Sequence, residues 1–198
     1  MAATIIAPDS LKQNFYYNQP VGSWSEIKLE DHMETAKEVL VEFSTILDKA
    51  NIEHFLHFGT LLGYYRDNSL IPHDGDIDFG FLNTEVQKLV DIINTTLVEA
   101  DYQFIRRDRG IFTFVKNAIP IDIYEYSKID INNVFLNGNF YAHPALERGY
   151  NLFTLEVEPL KTVEFLGKKV QILGNTEAFL IRRYGNWKIL ADIFNNPL

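Results

Sequence analysis

Asp74, Asp76 and Asp78 fall at every second position in the stretch IPHDGDIDFG, residues 71 to 80. A strand has a side-chain period of two, so Asp76 and Asp78 share one face, with Cα atoms about 7 Å apart, while Ile77 and Phe79 face a core. Two ionised carboxylates on one face repel each other. A hard divalent cation with a preference for oxygen ligands, Mg²⁺ or Mn²⁺, removes that conflict, and such ions can activate an attacking oxygen and neutralise a leaving phosphate. The plain alternative is a solvated strand end. A calcium loop of the EF-hand type does not fit, because Asp74-Gly75-Asp76 lacks the glycine offset and the closing glutamate.

Two further features favour the metal. Asp122, in Ile119-Pro120-Ile121-Asp122-Ile123-Tyr124, is an acid enclosed by strand formers. An isolated buried charge is costly, so it needs a cation. A neighbouring strand would let it supply a third carboxylate; a salt bridge to Lys116 or an arginine is the structural alternative. The second feature is HFGTLLGYYR, residues 57 to 66. A strand, a glycine, a threonine and a short helix present backbone N–H groups at a helix start, where a phosphate binds well. Gly59 permits close approach, Thr60 can bond a phosphate or cap the helix, and Arg66 can cover the phosphate or pair with Asp67 or Asp74. His73 can touch a donor or act as a base, or be a turn histidine beside Asp74. His54 and His57, three apart on a strand, point opposite ways and make no zinc pair.

These residues need a scaffold. Residues 1–27 contain Pro8, Pro20 and Gly22 and are expected to form an irregular arm; residues 28–198 are expected to form a single catalytic domain. Apolar residues at helical spacing predict helices from Leu29 to Ala50 and from Thr84 to about Ala100. Strands are predicted at 52–58, 75–80, 102–106, 111–115 and 121–126, and a hairpin at 162–172 around Leu166-Gly167-Lys168. A last helix, capped by Asn175 or Thr176, stops at Gly185. The alternation implies an α/β (α+β mixed) fold, a mixed sheet flanked by helices.

Composition narrows the function. The 198 residues carry a formal net charge of −9, 46% apolar residues and no cysteine. Such a chain repels a nucleic-acid backbone, so no nucleic-acid partner is expected. Disulfide and thiolate chemistry are excluded, and no apolar run reaches the roughly 18 residues of a membrane span. MAATIIAPDS lacks the features of a secretory signal; the expected location is cytoplasmic.

The block GTLLGYYRDNSLIPHDGDIDFG, residues 59–80, resembles the LicD/fukutin family of the nucleotidyltransferase superfamily, with glycine-threonine, a short helix with arginine, an Ile-Pro-aromatic-Asp turn and Asp-x-Asp on a strand. Tyr64-Tyr65-Arg66 and Ile71-Pro72-His73 look closest to its fukutin-like branch. Pro120-Ile121-Asp122-Ile123 is similar to the later strand with the third acid, and Arg182-Arg183-Tyr184-Gly185-Asn186-Trp187 to a carboxy-terminal Arg-Tyr-Gly-aromatic motif. His73 replaces a tryptophan, and Gly75 an aspartate, of the choline branch.

The resemblance implies a nucleotidyltransferase-type fold and a Mg²⁺- or Mn²⁺-dependent phosphotransferase. It would move a phospho-alcohol of the phosphocholine, ribitol phosphate or glycerol phosphate type from a CDP-activated donor to a glycan hydroxyl, releasing CMP. Asp76, Asp78 and Asp122 would hold metal, with Asp122 also helping to deprotonate the acceptor. Gly59, Thr60, Arg66 and His73 would serve the donor, with Arg182 or Arg183 as a second phosphate contact; adjacent helical residues do not face the same way, so one of the two at most points inward. A nucleotidyltransferase adding NMP from an NTP with release of pyrophosphate, and an inactive nucleotide- or partner-binding domain, are the other readings.

Overall fold

The computed structural model describes residues 28–108, 110–128, 133–136, 154–156 and 159–188; the expected arm at 1–27 lies outside the described residues. A 3-10 turn, Leu29–His32, leads into helix α1, Met33–Lys49. The helix buries Ala36, Val39, Leu40, Phe43, Ile46 and Leu47, one stripe at helical spacing. Strand β1, His54–Leu56, ends where helix α2, Phe58–Asp67, begins. Strand β2 is Ile77–Leu82, and helix α3, Val86–Ile92, continues as a π-helical turn through Leu97.

The sheet then completes with β3 (Gln103–Asp108), β4 (Ile111–Lys116), β5 (Ile119–Lys128), β6 (Asn133–Leu136) and β7 (Thr154–Glu156). Its order is β1-β2-β5-β4-β3, with β6 joining β5 to β7. Among the described residues only β2 and β5 run parallel, and the other pairings of this sheet are antiparallel. The expected mixed sheet flanked by helices is therefore present, and β6 and β7 add to it beyond the expected strands. A separate hairpin, β8 (Lys161–Phe165) and β9 (Lys168–Ile172), turns through Leu166 and Gly167, both at positive φ, 53° and 76°, as a tight two-residue turn requires. Helix α4, Thr176–Tyr184, stops at Gly185.

Strand β5 is buried between two neighbours and yet carries Pro120. The register resolves this. Pairing with β2 begins at Ile121, so the missing N–H of Pro120 falls where β5 has only β4 beside it.

Period two sorts the sheet's faces. Phe79 of β2 and Phe114 of β4 meet Phe43 of α1, with ring centroids 5.8 and 5.4 Å away. On the other face, Tyr124 and Tyr126 of β5 meet the start of α2. Phe58 lies edge-on to Tyr124 at 4.8 Å, and Tyr126 Oη is 2.5 Å from His57 Nε2. Phe179 of α4 stacks on His57 at 5.2 Å. The face bearing Asp78 and Asp122 is thus covered in part by α2 and α4, and the cleft lies in the remaining space.

Candidate active site

Three hydrogen bonds fasten the start of α2 to one residue of β2. His57 N–H donates to Asp78 O (3.1 Å), Gly59 N–H to Asp78 Oδ2 (3.0 Å), and Asp78 N–H to Thr60 Oγ1 (2.9 Å). Between them Phe58 takes a φ of 33°, a strained value for a bulky side chain. The amide of Gly59 and the hydroxyl of Thr60, expected to meet a phosphate, both have a partner inside the protein. The amide orients the Asp78 carboxylate, and the threonine oxygen holds the Asp78 backbone.

That carboxylate belongs to a cluster. Oxygens of Asp74, Asp76 and Asp78 all lie within 4.8 Å of one another. Asp74 is held by Gly75 N–H on Oδ1 (3.0 Å), and its loop is tied to the segment before α1 by Leu29 N–H to Asp74 O (2.9 Å) and Glu30 N–H to Pro72 O (2.7 Å). Tyr124 also hydrogen-bonds Asp78. On the parallel neighbour β5, Asp122 sits in register with Asp78. Thr113 of β4 donates its hydroxyl to Asp122 Oδ1 at 2.6 Å. The sheet places Asp122 on the strand beside Asp78, as expected, but Asp122 is not part of the three-acid group and does not line the cleft; Asp74 is the third acid there. Lys116 is not its partner, pairing instead with Glu42 at 2.5 Å.

The electrostatics follow from burial and crowding. Burial, then the charges of Asp74 and Asp122, push the Asp76 carboxyl up to about 8. Burial and the three neighbouring acids hold Asp78 well above the usual carboxylate range, against the pull of the Tyr124 hydroxyl. Burial also raises Asp74 and Asp122. Crowded carboxylates that resist ionising are what a divalent cation relieves, and an all-oxygen donor set suits Mg²⁺ or Mn²⁺. Asp74, Asp76 and Asp78 fit such an ion.

The cluster lines a cavity of about 600 Å³, together with Gly59, His73, Tyr124, Arg183 and the apolar Phe58, Leu62 and Ile71. That volume suits a small-molecule site. Arg183 lines it; its guanidinium lies 5.0 Å from the Phe58 ring centre, and its buried Nε has no hydrogen-bond partner. Arg182 is exposed and is not among the lining residues. Arg66 is turned away, paired with Asp67 at 2.6 Å. His73 is exposed at the cleft. His54 and His57 are buried apart, as expected, His54 against Ser44 and His57 against Tyr126. Burial, then the Arg183 charge, keeps His57 well below the usual imidazole range.

Asp74 and Tyr124 are the site residues that the motif reading missed. Each had a signal. Asp74 continues the alternation of Asp76 and Asp78, and Tyr124 stands two residues after Asp122 on one strand, hence on the same face.

Comparison with known proteins places these residues in context. The model of the LicD/FKTN/FKRP nucleotidyltransferase-domain family matches residues 51–172. An uncharacterized protein of Rickettsia prowazekii (strain Madrid E), RP689, is 25% identical over 162 residues, which is 80% of this chain and 57% of the relative. An uncharacterized protein of Caenorhabditis elegans, T07A5.1, is 48% identical over 48 residues, 24% of this chain and 13% of the relative. The chain thus spans little more than half the length of the first of these and a small part of the second. Among solved structures, the lincomycin-bound lincosamide antibiotic adenylyltransferase LnuA shares the fold, with a TM-score of 0.50 at 14% identity over 72% of this chain and 83% of that one. No helix among the described residues is long and apolar enough to cross a membrane.

Proposed function

The chain belongs to the LicD/FKTN/FKRP nucleotidyltransferase-domain family, a branch of the nucleotidyltransferase superfamily of enzymes, and from that premise we propose that it transfers a phosphorus-containing group from a nucleotide-activated donor to a hydroxyl. The observation that carries the reading is the group of three aspartates whose oxygens lie within 4.8 Å of one another in a cleft of about 600 Å³.

Asp74, Asp76 and Asp78 would hold a divalent cation, Mg²⁺ or Mn²⁺, and Asp122 on the neighbouring strand would complete the site. The cation, when bound, supplies charge for the donor phosphates and for the attacking oxygen. Gly59 N–H and Thr60 act on Asp78 and so fix its direction. Arg183 offers charge-assisted hydrogen bonds to a donor phosphate. Asp122, as the carboxylate whose hold on a proton burial strengthens, helps take the proton of the acceptor hydroxyl as its oxygen bonds to phosphorus and the bond to the leaving group breaks. Positioning and charge supply most of the rate in such a reaction.

Two donors use the same constellation. With an NTP, attack at the α-phosphorus releases pyrophosphate and leaves NMP on the acceptor; the family's nucleotidyltransferase description favours this route. With a CDP-alcohol, attack at the phosphorus bearing the alcohol releases CMP and leaves a phospho-alcohol of the phosphocholine, ribitol phosphate or glycerol phosphate type on a glycan hydroxyl. The block at residues 59–80 favours this second route.

Product analysis separates them. The protein, with Mg²⁺ and at high concentration, is offered CTP, ATP, CDP-choline, CDP-ribitol and CDP-glycerol one at a time, with Asp78→Asn as control. Pyrophosphate lost in the control establishes nucleotidyl transfer, and CMP lost in the control establishes phospho-alcohol transfer. If the protein binds neither Mn²⁺ nor any of these nucleotides, the enzymatic reading fails and a partner-binding domain replaces it.

A further inference from the structure

A row of polar residues crosses the sheet beside the aspartates. Asp78 of β2 pairs in register with Asp122 of β5, Asp122 with Thr113 of β4, and Thr113 with Arg106 of β3. In the last pairing the register is not regular. Gln103 and Phe104 oppose Val115 and Phe114, but Arg106 and Arg107 oppose Thr113 and Phe112. One extra residue, Ile105, is therefore inserted in β3, so that two residues stand against Thr113. Such a bulge reverses the faces that follow it.

The reversal has a chemical effect. In a regular ladder Ile105 would oppose Thr113, and Arg106 would oppose Phe112 on the face packed by α1. With the bulge, Arg106 stands on the face that carries Asp122. Its Nε donates to Thr113 Oγ1 at 3.3 Å, and the Thr113 hydroxyl donates to Asp122 Oδ1 at 2.6 Å. Every bond in the chain runs toward the carboxylate. The guanidinium occupies the acceptor side of the Thr113 oxygen, so its hydrogen is left to point at Asp122. Thr113 is 2% exposed, so no water competes for that hydrogen. Neutral Thr113 keeps the arginine from pairing with Asp122 directly. The aspartate is oriented and partly offset in charge, yet Oδ2 is not engaged by this hydroxyl.

Building on the reading of the aspartates as a cation site, we propose that Arg106 and Thr113 are positioning residues for Asp122, and that the Ile105 bulge exists to put Arg106 into that row. The pair fixes Oδ1, which leaves Oδ2 as the oxygen for the ion. Groups of this kind behind a metal ligand change ion affinity by roughly 10- to 100-fold when removed.

The test reads ion affinity rather than turnover. Mn²⁺ binding is measured by electron paramagnetic resonance on the full chain carrying Thr113→Val, Thr113→Ser, Arg106→Gln, Asp122→Asn or Asp78→Asn. Thermal melts in EDTA check that each variant folds. Thr113→Val keeps the shape and is expected to weaken Mn²⁺ about tenfold. Thr113→Ser, which keeps the hydroxyl, is expected to bind as the unaltered protein does, and Arg106→Gln to weaken binding by a smaller factor. The proposal is overturned if Thr113→Val binds Mn²⁺ normally while Asp122→Asn does not, or if Thr113→Ser loses as much as Thr113→Val. If Asp122→Asn binds normally while Asp78→Asn does not, Asp122 is no ligand and the proposal falls while the three-aspartate site stands. If Asp78→Asn also binds normally, the cation site itself is wrong.

Discussion

A Cβ built on Gly59 would lie 2.0 Å from Asp74 Oδ2. Real Cβ atoms do not come that close, so Asp74 reaches the aspartate cluster only because residue 59 has no side chain. Gly59 lies in the first turn of α2, where alanine ordinarily favours a helix by up to ~1 kcal/mol. We predict that Gly59→Ala folds but expels Asp74 from the cluster, weakening Mn²⁺ affinity by about tenfold or more. Titration of Mn²⁺ into the variant decides it; unchanged affinity would show that Asp74 is not a ligand.

The acids also set a pH dependence for the metal-free protein. Asp76, at about 8 when folded, sits far above the ~3.9 of an unfolded aspartate. The folded state therefore holds a proton that the unfolded state has lost. The resulting stability is complete below about pH 4 and disappears as pH rises through about 8. Asp74, Asp78 and Asp122 shift the same way. The depressed His54 and His57 act oppositely, losing stability as pH falls below about 6.5, so they are silent above it. In EDTA, Tm is expected to fall between pH 6.5 and 8.5. Asp76→Asn should shrink that fall, and Mg²⁺ should raise Tm more at pH 8.5 than at 6.5. A flat or rising Tm in EDTA would contradict the crowding of the acids.

The contrast between Asp76, Asp78 and Asp122 on one side and Gly59, Thr60 and Arg66 on the other shows what a sequence carries. Alternation is a local geometric rule, so the closeness of Asp76 and Asp78 could be read directly, although Asp76 stands in the bend just before β2 and not on the strand expected from residue 75. The parallel pairing that sets Asp122 beside Asp78 was reachable only as a possibility, since register between strands 44 residues apart leaves no local mark. The motif GT before a helix looked like a phosphate cradle. Only the fold reveals that the Gly59 amide already donates to the Asp78 carboxylate and that Thr60 Oγ1 already accepts the Asp78 N–H. Arg66 and Asp67 are neighbours in sequence, and that short path won over the cleft. The Asn117-Ala118 turn between β4 and β5, with φ of 51° and 64°, was not legible, because alanine seldom takes that conformation and no glycine flags it. The strands at 133–136 and 154–156 were missed for want of strong alternation.

Thr60 is buried, and its oxygen accepts the Asp78 N–H. Thr60→Val keeps the volume and removes the acceptor, leaving a buried amide unpaired. The expected cost is about 1–3 kcal/mol of stability, read from urea denaturation with Mg²⁺ absent. Thr60→Ser should lose much less. Were Thr60 chiefly a phosphate ligand, Thr60→Val would weaken nucleotide binding without changing the denaturation midpoint, and the brace between α2 and β2 would not be its main role.

Arg183 and Arg182 give the sharpest contrast within one helix. Both end α4, one residue apart, and carry the same charge. Arg183 lines the cleft, with its guanidinium over Phe58 and a buried Nε that has no protein partner. Arg182 is exposed. A buried guanidinium donor left unpaired is costly, and a phosphate oxygen is the partner that fits it. A hydrogen bond to a charged group contributes about 1.5–3 kcal/mol, which is roughly a tenfold to hundredfold change in affinity. Arg183→Met is therefore expected to weaken nucleotide binding by that factor while leaving Mn²⁺ affinity in place. Arg183→Lys should recover only part, because an ammonium cannot reproduce the planar fork. Arg182→Met should change binding by less than about 0.5 kcal/mol. Calorimetric titration of CDP and CTP against the three variants reads the difference. Equal losses from Arg182→Met and Arg183→Met would mean that only general positive charge matters, and the assignment of Arg183 to the donor phosphate would be withdrawn.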